Sequence, residues 1–137
     1  MKQVVFYETG LPENVLQLEE VEMPSPAKGE ALIRITARNI NPSDVMFVQG
    51  LYGITPKLPS SAGFEAAGVI EKSEKFPTGT RVLFTSVGTR KEYTCIPDAG
   101  LIPIPDGMTD EVACQAFVNP VTAYGMSTFE GPMLSLK

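Results

Sequence analysis

Along the first hundred positions, apolar and polar residues alternate in short stretches that glycine or proline repeatedly interrupts. Such two-residue periodicity marks half-buried strands. Residues 3–7 and 15–21 read as strands flanking the turn Glu8-Thr9-Gly10-Leu11-Pro12. Residues 30–39 form another, in which Leu32, Ile35 and Ala37 roughly alternate with Arg34, Thr36 and Arg38. Residues 63–73, 80–85 and 90–96 follow the same pattern. Residues 101–105 fit only an edge strand, because Pro103 and Pro105 have no N–H to give to a ladder. Short strands with frequent turns predict a small barrel or sandwich.

Three helix starts interrupt that pattern. Asn41-Pro42-Ser43-Asp44 combines an Asn cap, proline at the first helical position and an acid in the first turn, with Gly50 as the stop. Thr109-Asp110-Glu111 opens a second helix running to about Val118, and Asn119-Pro120 opens a third. Strands dominate, and two of the helices come late, so the fold class is α+β, mostly β.

Composition narrows the chemistry. The 137 residues and 43% hydrophobic content fit one domain with a single core. A net charge of −5 argues against a phosphate-neutralising surface, so no nucleic-acid partner is expected. There is no membrane-length apolar run, and Met1-Lys2-Gln3-Val4-Val5 does not resemble a signal sequence, which predicts a cytoplasmic protein. Histidine is absent, which excludes Ser-His-Asp and Cys-His catalysis and His-ligated zinc. Cys95 and Cys114 are too few for a four-cysteine metal site; they could pair in one disulfide, but without export signals two free buried thiols are expected.

Several segments in succession resemble the amino-terminal, GroES-like domain of medium-chain dehydrogenases/reductases. They are Arg38-Asn39-Ile40-Asn41-Pro42-Ser43-Asp44, then Gln49-Gly50-Leu51-Tyr52-Gly53, then Leu58-Pro59 through Gly63-Phe64-Glu65-Ala66-Ala67-Gly68-Val69-Ile70. Gly79-Thr80-Arg81-Val82, Gly88-Thr89-Arg90-Lys91-Glu92-Tyr93 and the stretch from Ile104-Pro105 to Asn119-Pro120-Val121-Thr122 continue the series. The resemblance covers residues 1–126 and implies a partly open β-barrel with a few short helices. Residues 127–137 form an unmatched tail. Asn41 stands where the zinc enzymes of the family carry a cysteine, and Phe64 where they carry the histidine of "G-H-E". Neither an amide nor a phenyl ring is a zinc ligand, so no metal is expected. The resemblance therefore points to the zinc-independent branch, closest to quinone reductases and mitochondrial-type 2-enoyl thioester reductases.

That branch implies hydride transfer from NADPH or NADH to an activated C=C or a quinone, with a small-molecule substrate and Tyr52 as proton donor. Asn41 is placed either as an ordinary helix cap or as a hydrogen-bonding partner of the nicotinamide ribose or the substrate carbonyl. Thr122 resembles the residue facing the nicotinamide carboxamide, and by itself is a first-turn threonine. Asn119 reads as a cap, Asp44 as a first-turn helix charge, and Glu65 as the partner of Arg81 in a structural salt bridge. No G-x-G-x-x-G phosphate loop occurs in the chain, so the Rossmann cofactor domain is expected to be absent, and with it tight nucleotide binding and activity of the chain alone. The alternative is a non-catalytic binding or interaction module. Exposed barrel edges would favour a homo-oligomer, with Phe129, Met133, Leu134 and Leu136 of the tail covering part of the gap.

Overall fold

A computed structural model of the chain describes residues 1–128. The chain begins with a two-stranded antiparallel ribbon, β1 (Lys2–Val5) and β2 (Gln17–Glu20), joined through a single helical turn, α1 (Pro12–Val15). That turn replaces the start of the strand expected at 15–21. Pro12 at its first position sets the helical φ, and Val15 drops into the core.

Five further strands form one antiparallel sheet: β3 (Glu30–Ala37), β4 (Glu65–Lys72), β5 (Arg81–Thr85), β6 (Tyr93–Pro97) and β7 (Ile102–Pro103). Their spatial order is β6-β3-β4-β5-β7. The outer strands β6 and β7 do not pair with each other, so the sheets stay open rather than closing into a barrel. β1 reaches the β6 side of this sheet through Val4 N–H to Arg90 O, 2.7 Å, and Glu92 N–H to Lys2 O, 3.0 Å. The two-residue β7, which ends on Pro103, is the edge strand that the sequence requires.

In β3 the inward residues are Ala31, Ile33 and Ile35, whereas the sequence pattern favours Leu32, Ile35 and Ala37. Register against β4 shifts between Leu32 and Ile33 and again between Ile35 and Ala37. The inward positions nonetheless keep a strict period of two, which Ala37 continues half-buried; Leu32 is the residue that the sequence pattern puts on the wrong face.

α2 (Pro42–Gln49) has the expected boundaries: Asn41 at its cap, and Gly50 ending it with a φ of 73°. The second helix, α3 (Asp110–Ala113), stops a turn short of the expected Val118, and α4 (Val118–Thr128) starts one residue before Asn119. Three apolar clusters fill the interior. One lies inside the five-stranded sheet around Ile33, Ile70 and Phe84. A second lies under α1 and α2 around Phe6, Phe47 and Val48. The third lies under α3 around Ala67, Leu83 and Cys114. Among the described residues no helix is long and apolar enough to cross a membrane.

Candidate functional site

Tyr52 lies just beyond α2, in the loop that Gly50 opens. Its ring packs at a 43° tilt on Phe64, with centroids 5.5 Å apart. Phe64 in turn meets Phe47 edge-on at 5.1 Å, and Phe47 meets Phe6 at 5.9 Å. A chain of four rings thus runs from an exposed phenol to a fully buried phenyl, in the edge-on and tilted geometries that aromatic pairs prefer. Tyr52 is 38% exposed, and its ring forms one wall of an open cleft of about 310 Å³. Ser43, Ile54, Phe64, Val87 and Val118 line the rest, together with Thr85 and Ser86. The surface is largely apolar with a few hydroxyls, which suits a flat conjugated molecule with a carbonyl to be hydrogen-bonded.

Directly beside Phe64, Glu65 is 2% exposed. The expected salt bridge to Arg81 does not form. Arg81 pairs across the sheet with Val69, while Glu65 pairs with Thr85. Four residues along a strand separate the two side chains by roughly 13 Å. Arg81 binds Asp110 instead, Nε to Oδ1 at 2.8 Å, and the Met108 carbonyl at 2.6 Å. Glu65 accepts from Asn39 Nδ2 at 2.6 Å, Asn41 Nδ2 at 3.1 Å and the Val118 backbone N–H at 2.9 Å. Burial is thus offset by three amide donors rather than by a cation.

Asn41, 8% exposed, sits behind the cleft wall rather than on it. Its Nδ2 is committed to Glu65, and its Oδ1 accepts from Asn119 Nδ2 at 3.4 Å. Asn119, one residue inside α4, therefore spends its amide on Asn41, in place of the capping role expected from the sequence. The reciprocal half of the α2 cap comes from Asp44, whose Oδ2 accepts from the Asn41 N–H at 2.9 Å. Asp44 is more than a first-turn charge: it is buried and also paired with Arg90 at 3.2 Å. Thr122 is exposed and does not line the cleft. It lies four residues beyond Val118, on the same face of α4 and one turn further out.

Both cysteines are free; Cys114 is buried and Cys95 half-buried. Burial pushes the Cys114 thiol pKa up, and the Glu65 carboxylate adds to the effect. Phe64 and Glu65 are the site residues whose roles the sequence leaves hidden. The usable signal for Glu65 is an acid in an apolar strand start, with the carboxamides of Asn39 and Asn41 available upstream.

A zinc ion does not fit here. Phe64 offers no donor, the Asn41 amide nitrogen is committed, and Glu65 already receives three N–H groups. Among the described residues no group of three His, Cys, Asp or Glu side chains could hold a metal ion. A nicotinamide ring does fit, with Phe64 and Val118 as apolar wall and the Tyr52 and Ser43 hydroxyls at hand.

The family described as alcohol dehydrogenase GroES-like domain matches residues 27–106. The mitochondrial enoyl-[acyl-carrier-protein] reductase of Caenorhabditis elegans is 33% identical over 129 residues, covering 90% of this chain and 37% of that protein. The human synaptic vesicle membrane protein VAT-1 homolog is 35% identical over 114 residues, covering 80% of this chain and 29% of that protein. The crystal structure of Escherichia coli quinone oxidoreductase complexed with NADPH superimposes with a TM-score of 0.83 at 29% identity. It covers 93% of this chain, which spans 40% of that one.

Proposed function

This chain belongs to the alcohol dehydrogenase GroES-like domain family, and on that premise we propose that it forms the substrate side of a zinc-independent, NAD(P)H-dependent reductase. The substrates would be small molecules with an activated carbon–carbon double bond, such as enoyl thioesters, or quinones. The observation that carries this reading is the placement of Tyr52, whose phenol stands on the Phe64 ring at an apolar cleft that Val118 of α4 also lines.

Bound NAD(P)H would supply a hydride. Tyr52 donates its hydroxyl proton to the substrate atom that gains electron density as the double bond or quinone is reduced. The phenyl of Phe64 holds the tyrosine ring and, with Val118 and Val87, keeps water from one side of the reacting group. Thr122, on the same face of α4 as Val118, would steady the nicotinamide end, and Asn41, held behind the wall by Glu65 and Asn119, would fix the wall on which the ring lies. The chain contains no phosphate loop, so the pyrophosphate would be held by residues outside it.

A chimera tests this. Residues 1–126 replace the matching part of Escherichia coli quinone oxidoreductase, and NADPH oxidation is followed with crotonyl thioester or benzoquinone. Turnover of either substrate that drops in the Tyr52→Phe variant supports the reading; turnover that ignores the substitution overturns it. The second reading, a non-catalytic interaction module, draws on the exposed Val121, Tyr124 and Met126 of α4. It predicts a folded chimera that oxidises no NADPH.

A further inference from the structure

α4 is eleven residues long and none of them is buried, so packing does not set its direction. The hydrogen bonds described between its first turn and the sheet side of the fold run through two side chains, Glu65 and Asn41. We propose that Glu65 is a positioning residue, whose single carboxylate sets both the start of α4 and the pose of the Asn41 carboxamide beside the cleft.

Three segments meet at this carboxylate. Asn39 and Asn41, from the turn before α2, donate to Oε1 at 2.6 and 3.1 Å, and the Val118 N–H donates to Oε2 at 2.9 Å. Three donors converging on one water-excluded carboxyl hold it in a single pose, because leaving any of them unpaired there is costly. The free N–H groups at the start of α4 also favour a negative charge there. Asn119 closes the circuit, since its Nδ2 donates to Asn41 Oδ1 at 3.4 Å. The Asn41 carboxamide is therefore held at both ends, by Glu65 on nitrogen and by α4 on oxygen. Any tilt of α4 that stretches the Val118 bond pulls on the same carboxylate that orients Asn41. The purpose of that pose rests on the cofactor reading above, whereas the coupling itself does not.

Two variants of the 137-residue chain, labelled with nitrogen-15, test the coupling by NMR. Val118→Pro removes one N–H from the carboxylate and leaves a residue suited to the first helical position. The expected result is a shift of the Asn41 side-chain amide resonances, with changes confined to Asn41, Asn119 and α4. A merely structural role would instead move signals throughout β4 and β5. Glu65→Gln keeps one acceptor and turns an NH₂ group toward the donors. The Val118 amide should then exchange about tenfold faster, equivalent to about 1.4 kcal/mol. Unmoved Asn41 resonances in Val118→Pro, or unchanged Val118 exchange in a folded Glu65→Gln chain, overturn the proposal. If Glu65→Gln does not fold, the Val118→Pro result decides. In the chimera, Asn119→Ala, which removes the α4 bond to Asn41 and leaves the cleft lining intact, should raise KM for NADPH with little change in kcat. Shifted Asn41 resonances with an unchanged KM would leave the coupling standing and count against the cofactor reading.

Discussion

Tyr52 stands on Phe64 with ring centroids 5.5 Å apart, and Phe64 is braced edge-on by Phe47 beneath it. The phenol thus has a fixed platform although its own side chain is more than one-third exposed. Removing only its hydroxyl leaves the ring stack in place. Tyr52→Phe in the chimera should lower turnover by about 100-fold, the low end for a positioned general acid, with the urea midpoint unchanged. Equal turnover of the two proteins would dismiss Tyr52 as proton donor.

Asp110 ties α3 to the sheet through Thr36 Oγ1 at 2.6 Å and Arg81. The Thr36 hydroxyl, followed by Arg81, holds its carboxyl below the usual carboxylate range. A folded-state value below the unfolded one means that the unfolded chain binds more protons in between. The contribution is then complete above the ordinary carboxylate pKa of about 3.9 and fades as pH falls through the folded value. Asp110→Asn should cost about 1 kcal/mol or less at pH 7, because the pair is partly solvated. Urea titrations should show the gap between wild type and variant narrowing as the pH is lowered below about 4. A gap that widens in acid would contradict the assignment.

Gly68 is needed for lack of room. A Cβ there would lie 2.5 Å from the Arg34 carbonyl oxygen and 2.6 Å from Ile33 Cγ2 on the neighbouring strand. Backbone cannot yield as a flexible side chain does, so Gly68→Ala should destabilise by about 1–3 kcal/mol. A thermal midpoint equal to wild type would show that β3 and β4 can separate freely.

NADPH should bind the 137-residue chain more weakly than micromolar, that is, with less than about 8 kcal/mol. The cleft offers contacts to a nicotinamide ring, and the sequence holds no glycine-rich cradle for the phosphates. Calorimetry that returns a micromolar Kd would locate a nucleotide site elsewhere on this chain.

The exposed Val121 and Tyr124 lie one turn apart on one face of α4. We expect concentration-dependent association in sedimentation velocity, weakened by Tyr124→Ser. A monomer at every concentration would refute this. The tail residues Phe129, Met133, Leu134 and Leu136, expected to cover part of the gap, lie outside the described residues.

Local chemistry determined much of this protein from the sequence alone. Asn41-Pro42 and Gly50 bound α2 because a cap, a preset φ and a left-handed stop act within a few residues of themselves. Pro103 confines β7 to the edge for an equally local reason, and the ordered glycine motifs carry the family resemblance. Tertiary structure alone decided the face of Leu32, since Ala31, Ile33 and Ile35 fill the core cluster and leave it on the opposite side of β3. It also decided the partner of Glu65. A charge-based reading of the sequence selects Arg81, but strand register holds that guanidinium about four residues away and gives it to Asp110. Glu65 is left to amide donors from segments 24, 26 and 53 residues distant, and such convergence in space has no counterpart in local sequence periodicity.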